Sequence, residues 1–474
     1  MSNIIDAIPL PPVYYHATEA SYWRGDHSGR WIKINESYAK NFIADYGYSK
    51  CPEVPGANSE VESCVMRVQE RQNIAYAGSL AGHDAGFYRA GENQILVTDS
   101  PMFITPKAGT WPTLNALFSS MLDDDEISQC SQWPYFMGWI KSAMNSFRAR
   151  RWTASQMLAM AGPVGSGKSL TQNLLTVMFG GRCAKPYQFM MGATNFNAHM
   201  FGAEHQVLED ESERVDIRSR RNFAANIKTI LTGRDQNCHG KNKTALILQP
   251  RWRMSLSLND DAERLQVLPP LDSDVRDKII ILKAHKADMP LPTGTPELDA
   301  VFWNTMVAEL PAFLHAIDQW EIPAELADAR YGIRAYHHPE IVAKLEQTAP
   351  ELRLMELIDR VIFGVGEPVL DYSRVPAPFV GSAMEIENKL VGKFSTVQYE
   401  ARNLLTWQNA TGAYLGRLRE STVDYVRGRV ASRIRMGQTI WTIQPPVREE
   451  AQAPVPDDEQ GLPEVPEGIS DTEN

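Results

Sequence analysis

Residues 162–169 read GPVGSGKS. Glycines at three of these positions let successive backbone N–H groups turn toward a phosphate, and a helix starting at the lysine adds the positive end of its dipole. Lys168 would reach the outer phosphates and the Ser169 hydroxyl would ligate Mg²⁺. The chemistry this specifies is the binding of a nucleoside triphosphate, ATP with Mg²⁺. The cradle is Gly162, Pro163, Val164, Gly165, Ser166, Gly167, Lys168, Ser169 and Leu170. An idle glycine turn is the competing reading, and it lacks a reason for the flanks. The apolar run QMLAMA before the loop reads as a buried strand, and KSLTQNLLTVMF after it reads as a helix stopped by Gly180 and Gly181.

Phosphate transfer also needs an acid for the metal and a group that orients water. HQVLEDES, at 205–212, supplies acids at the carboxyl end of a short apolar run. Asp210 is assigned to the metal shell beside Ser169, and Glu211 to the activation of water; a register one residue earlier would use Glu209 and Asp210 instead. In RWRMSLSLNDD, at 251–261, Asn259 ends another strand-like run and would touch the γ-phosphate or the lytic water. A turn-forming asparagine is the plainer alternative. Arg276 lies just before the apolar run IIIL and would serve as an arginine finger on a neighbouring subunit's nucleotide, or form an ordinary surface ion pair. Between Asp210 and Asn259 stands CHGKNKT, 238–244. Cys238 and His239 are too few for zinc without other suitably spaced ligands. Gly240 and Asn242 suit a tight turn that presents Lys241 and Lys243.

The elements that must position these groups follow from pattern and composition. The chain has 474 residues, 43% hydrophobic and 22% charged, as in ordinary globular proteins. No apolar run approaches the ~20 residues of a membrane span, so no membrane partner is expected. Five irregularly spaced cysteines fit reduced thiols and a cytoplasmic location. The net charge is −11, but residues 447–474 carry nine acids and one arginine in a proline-rich stretch with one leucine and no aromatic residue. Such a tail cannot offset its ordering entropy and is expected to be disordered. The expected organisation is a mixed α+β N-terminal domain of unclear role over 1–111, with His83-Asp84 a lone polar pair. A helical oligomerisation or collar segment follows at 112–150, an α/β ATPase core at 151–290 and a helical extension at 291–382. A winged-helix-like unit is expected at 383–446, before the tail. That unit holds Arg402, Arg417, Arg419, Arg427, Arg429, Arg433 and Arg435. A basic winged helix suits nucleic acid, with a protein-interaction module as the alternative.

The order GPVGSGKS, LEDES, SLN, DSDVRDK within about 115 residues resembles the superfamily 3 helicases of viruses, phages and plasmids, a branch of the AAA+ ATPases. The likeness is to the poxvirus-type primase-helicase group. IKTILTGRDQNCHGKNKTALIL, at 227–248, matches the segment that carries that family's DNA-tracking hairpin, and TNFNAHMFG, at 194–202, resembles the segment before its acids. The resemblance implies an AAA+-like core in a homo-hexameric ring. It implies single-stranded or forked DNA in the pore, with His239, Lys241 and Lys243 on backbone phosphates, and a winged-helix domain at the C-terminus. It also implies replication of a phage or mobile element. Independently of the resemblance, the N-terminal domain or the acidic tail is the expected place for a replication partner. The rival readings are an AAA+ initiator or loader that uses ATP as an assembly switch, and a DNA-binding scaffold with a decayed ATPase. A metabolic P-loop kinase leaves the hairpin and the arginines unexplained.

Overall fold

The computed structural model describes residues 9–122, 131–209, 217–365, 377–421 and 425–446, apart from single positions at 242, 270, 272, 273, 287 and 348. Two compact units divide at Thr348/Ala349.

The centre of the first unit is a five-stranded parallel sheet. In chain order its strands are Met157–Ala161, Cys183–Ala184, His205–Glu209, Arg253–Leu258 and Ile279–Lys283; in space they lie fifth, first, fourth, third, second. Parallel neighbours need long crossovers, and the helices that make them cover both faces, so strands Met157–Ala161 and Ile279–Lys283 read as nearly continuous apolar runs. Alternation sorts the side chains. Met157, Ala159, Ala161, Met254, Leu256, Leu258, Ile279 and Ile281 enter one core, with Phe223, Ile227 and Leu231 of helix Ile217–Thr232. Leu158, Met160, Ile280 and Leu282 enter the other, with Leu174, Leu175 and Met178 of helix Lys168–Met178.

That second core also takes the helices Pro112–Met121 and Trp133–Arg148, through Leu114, Leu117, Phe118, Phe136, Ile140 and Met144. It takes the long helix Pro296–Gln319 as well, through Phe302, Met306, Leu310, Phe313 and Ile317. Helices Pro112–Met121 and Trp133–Arg148 are thus bound into the core of the parallel sheet. Helix Pro296–Gln319 runs through Pro311, where a break is the sequence expectation. Its buried apolar stripe compensates for the missing N–H, since tertiary packing outweighs local propensity.

Residues 9–111 form two small sheets. One has the order Trp31–Ile34, Ser21–Gly25, Val13–His16, Asn73–Ile74, with helices Glu36–Asp45 and Glu60–Arg71 closing its own core. The other joins Tyr76–Gly78, Asn93–Val97 and Gly86–Ala90. Its Ile95 and Val97, with Leu80 and Ala81 beside them, share the core of the parallel sheet. Arg182 fastens this junction, pairing with Asp99 and with the fully buried Glu204, whose carboxylate also accepts the Gly82 N–H at 2.6 Å.

The second unit packs helices Pro350–Ile362, Ala383–Val391, Gln398–Leu404 and Ala410–Glu420 against a three-stranded antiparallel sheet. The sheet is ordered Phe379–Ser382, Gln438–Ile443, Val430–Arg435.

Candidate nucleotide site and basic hairpin

The order of the parallel sheet reverses direction at strand Met157–Ala161, with the fifth strand on one side and the fourth on the other. Crevices at the carboxyl ends of strands beside such a switch point are where α/β sheets bind ligands. The GPVGSGKS loop leaves this strand there. Gly162 is pressed against the backbone after the fifth strand: a Cβ would stand 1.9 Å from the Ala284 carbonyl oxygen, so only glycine fits. Gly165 and Gly167 adopt φ of 79° and 84°, left-handed values that side chains disfavour. Helix Lys168–Met178 begins with no side-chain cap, which leaves its first N–H groups directed at the loop.

Lys168 is buried at the mouth of this loop. Its Nζ donates to the Gly162 carbonyl at 2.8 Å, the Pro163 carbonyl at 2.7 Å and Ser166 Oγ at 2.9 Å. These partners are neutral. Burial pulls the ammonium's pKa below its usual value, and only the field of Asp260 works the other way. An ammonium held by neutral oxygens beside uncapped helix N–H groups is a cradle for an anion of high charge, and the residues present fit a triphosphate. Asp260 itself is held low: burial raises its carboxyl, but the hydrogen bond and charge of Lys344 outweigh that.

A cleft of about 470 Å³ brings together Val164 through Leu170, Glu209, Ser257, Leu258, Asn259 and Arg264. Alternation explains the gathering. Ser255, Ser257 and Asn259 share the parity that faces helix Lys168–Met178, as do His205 and Glu209 on the neighbouring strand. Ser255 Oγ accepts from Gln172 Nε2 at 2.9 Å and lies 2.8 Å from His205 Nε2, while His205 Nδ1 lies 2.7 Å from Thr176 Oγ1. A buried polar chain therefore ties the P-loop helix to the two strands whose ends enter the cleft. The Gly162 N–H donates to the Leu258 carbonyl, one residue before Asn259, at 3.2 Å.

Lys168, Ser169 and Asn259 thus meet, and Glu209 meets them, ion-paired outward to Lys185 at 2.8 Å. Asp210 and Glu211 lie outside the described residues. Arg264, from the short helix Ala262–Leu265, enters the same cleft, and no motif in the sequence singles it out. Arg276 does not enter it. It is exposed at the opposite, amino edge of the sheet, beside a cleft of about 700 Å³ lined by Asp277, Tyr336, His337 and Pro339.

The stretch CHGKNKT is the tip of a hairpin. Strands Gln236–Cys238 and Leu246–Leu248 pair antiparallel, with Cys238 opposite Leu246. The Cys238 thiol turns into the core, and burial raises its pKa to about 11. Lys241 and Lys243 stand exposed at the tip, whereas Asn242 is outside the described residues. The hairpin is clamped from both sides. Asn197 Oδ1 accepts the His239 N–H at 2.8 Å, the Asn197 N–H donates to the His239 carbonyl at 3.0 Å, and its Nδ2 donates to the Asn237 carbonyl at 2.8 Å. Phe196 lies against the His239 ring at 5.2 Å. Gln236 Nε2 caps helix Ile217–Thr232 by donating to the carbonyls of Thr229, at 2.9 Å, and Gly233, at 2.7 Å.

Two further groups separate on folding. His83 is buried, with Nδ1 3.0 Å from the Ala81 carbonyl. Burial and the charge of Arg251 lower its pKa to about 4. In the second unit, Arg429 is buried in an ion pair with Asp359, at 3.0 Å, and so is not part of an exposed basic face. Arg417 and Arg419 pair with Glu351 and Glu420, while Arg402, Arg433 and Arg435 are exposed.

No protein-family model and no curated protein matches the chain. Among solved structures it is similar to the apo C-terminal region of NrS-1, at a TM-score of 0.51 and 15% identity, over 91% of this chain and 95% of that one. It is also similar to the JCV helicase, at 0.22 and 14%, over 55% and 74%. A third likeness is to the Thermotoga maritima RuvB Holliday junction branch migration motor, at 0.21 and 12%, over 68% and 95%. The first of these likenesses is one of fold alone, and scores as low as the other two carry no argument. The class that sheet, loop and cleft define is an α/β protein with a P-loop ATPase-like core.

Proposed function

We propose that the chain is an ATP-driven motor on nucleic acid, a ring-forming helicase or translocase of superfamily 3 type that unwinds DNA during replication of a phage or mobile element. The observation that carries this reading is the connection between cleft and hairpin. Strand His205–Glu209 ends in the cleft, helix Ile217–Thr232 then returns to the amino edge of the sheet, and the lysine-tipped hairpin is locked to that helix through Gln236. The Ser155 N–H, just before the first strand, donates to the Leu231 carbonyl at 2.9 Å, which fixes the end of the helix at that edge. Strand Arg253–Leu258 then runs from the hairpin back to Asn259 and the cleft. A change at the phosphates is thus carried by rigid elements to a pair of exposed lysines.

In this reading Lys168 and the loop N–H groups hold the outer phosphates of ATP. Ser169 and Asp210 hold Mg²⁺, which when bound neutralises phosphate charge. Glu211 orients water, or, in the register one residue earlier, Glu209 holds the metal and Asp210 orients water; Asn259 contacts the γ-phosphate side. Arg276 acts on the nucleotide of a neighbouring copy in a homo-hexameric ring. Lys241 and Lys243 grip backbone phosphates without reading sequence. The second unit serves as a winged-helix contact to DNA through exposed Arg433 and Arg435, and the location is cytoplasmic.

The test is ATP hydrolysis with and without single-stranded DNA, comparing the unaltered chain with Lys241→Ala/Lys243→Ala. DNA should stimulate the unaltered chain severalfold and leave the double variant at its basal rate. Equal responses in the two, or no response in either, would refute the assignment.

A further inference from the structure

The hairpin does not stand free at its tip. Lys243 Nζ is ion-paired with Glu19 Oε1, and Lys33 Nζ with Glu19 Oε2 at 2.6 Å. Glu19 ends the 3₁₀ turn Ala17–Glu19 between two strands of the N-terminal sheet, and Lys33 lies on that sheet's edge strand Trp31–Ile34. The turn is held in place: Ala20, the next residue, takes a left-handed φ of 45°, and His16 Nδ1 lies 3.5 Å from the Glu19 carboxylate. Sheet and hairpin base close around a cavity of only about 80 Å³ between His16, Tyr76, Ala198, Cys238 and Lys243.

Two ammonium groups from elements more than two hundred residues apart therefore share the two oxygens of one anion. The two non-bridging oxygens of a phosphodiester offer the same pair of acceptors to the same pair of donors. Burial raises the Glu19 carboxyl, but the hydrogen bonds of Lys243 and Lys33 outweigh it and hold the pKa at about 2, so the group is ionised at any working pH.

We propose that Glu19 is an internal substitute for a nucleic-acid phosphate: it parks the hairpin on the N-terminal sheet, and an incoming strand displaces it and is then held jointly by Lys243 and Lys33. This rests on the nucleic-acid reading above and gives residues 9–111 a place on the track. The parked contact lowers the apparent affinity for nucleic acid, because Lys243 must exchange one anion for another. It also makes release of the hairpin depend on the presence of a strand.

The experiment measures binding of a fluorescent oligo-deoxythymidine to the full chain across a salt series, with Glu19→Gln, with Glu36→Gln as a control for net charge, and with Glu19→Gln/Lys33→Ala. Glu36 is exposed on the adjoining helix and paired only with Lys40 among the described residues. Hydrogen exchange of the amides of residues 239–246 is followed without DNA. Glu19→Gln should bind about two- to fivefold tighter. Its plot of log K against log salt should steepen by about one. Its hairpin amides should exchange faster, and adding Lys33→Ala should return the affinity toward that of the unaltered chain. If the unaltered chain binds but Glu19→Gln binds no tighter than Glu36→Gln, the inference is overturned while the nucleic-acid reading stands. If no form binds the oligonucleotide, that reading fails and the inference falls with it.

Discussion

A histidine inside the sheet shows how much of this protein rests on single residues. His205 is fully buried, between Thr176 Oγ1 and Ser255 Oγ, and burial lowers its pKa to about 3. It is neutral in the fold, whereas in the unfolded chain it takes up a proton near pH 6.5. Its contribution is therefore fully present above pH 6.5 and is lost as the pH falls toward 3. By pH 4 the loss should be on the order of 3 kcal/mol. Urea denaturation at a series of pH values checks this against His205→Gln, which keeps hydrogen-bonding groups and cannot titrate. The variant should be less stable at pH 7 and should show a flatter decline between pH 6.5 and 4. Parallel curves would mean that other groups, such as His83, carry the acid sensitivity.

At the scale of elements, one side chain joins helix Ile217–Thr232 to the hairpin by hydrogen bonds, beside the apolar core that Cys238 and Leu248 share with Ile227 and Leu231. Gln236 satisfies the Thr229 and Gly233 carbonyls at the end of the helix. Gln236→Ala leaves both without that donor, at a cost of about 1 kcal/mol, and frees the hairpin base to rotate. Hydrolysis without DNA should stay within about twofold of the unaltered chain, while stimulation by DNA should fall to half or less; retained stimulation would place the coupling elsewhere. Elements of this kind differ in how far the sequence announces them. The phosphate loop was legible because its glycines, lysine and flanks are local in the chain and each has a backbone reason. Asn259 was legible from its place at the end of an apolar run, and the CHGKNKT turn from Gly240 and Asn242 together with the family resemblance. The partners of the serines in MSLSLN were not legible: Ser255 and Ser257 are buried, and Gln172 and His205 reach in from other elements to meet Ser255. Arg264 and Glu19 were not legible at all. Each acquires its meaning from a partner that only the fold brings near: Glu19 and Lys243 are 224 residues apart.

For the whole molecule, the position of Arg276 decides whether one copy suffices. Ile279 pairs with Met157 and Lys283 with Ala161, so Arg276 precedes the amino end of a five-residue strand whose carboxyl end meets the phosphate loop. At about 3.3 Å per residue the strand alone separates the two by about 15 Å along the sheet. Arg276 therefore cannot reach the phosphate cradle around Lys168 of its own chain. If it acts in hydrolysis, it acts on the nucleotide of a neighbour across a head-to-tail contact, the kind that closes into rings. This gives a test that does not depend on seeing the ring. Arg276→Ala and Lys168→Ala should each lower ATP hydrolysis by about a hundredfold or more. In an equal mixture of the two variants, interfaces form in which the intact Lys168 of one chain faces the intact Arg276 of the other. Random assembly makes roughly a quarter of interfaces of this kind, so the mixture should recover activity toward that fraction while neither variant does so alone. A mixture as inactive as its components, from chains shown by light scattering to co-assemble, would mean that Arg276 is an ordinary surface arginine. Arg264, already inside the cleft of its own chain, would then be the cation left to meet the developing charge.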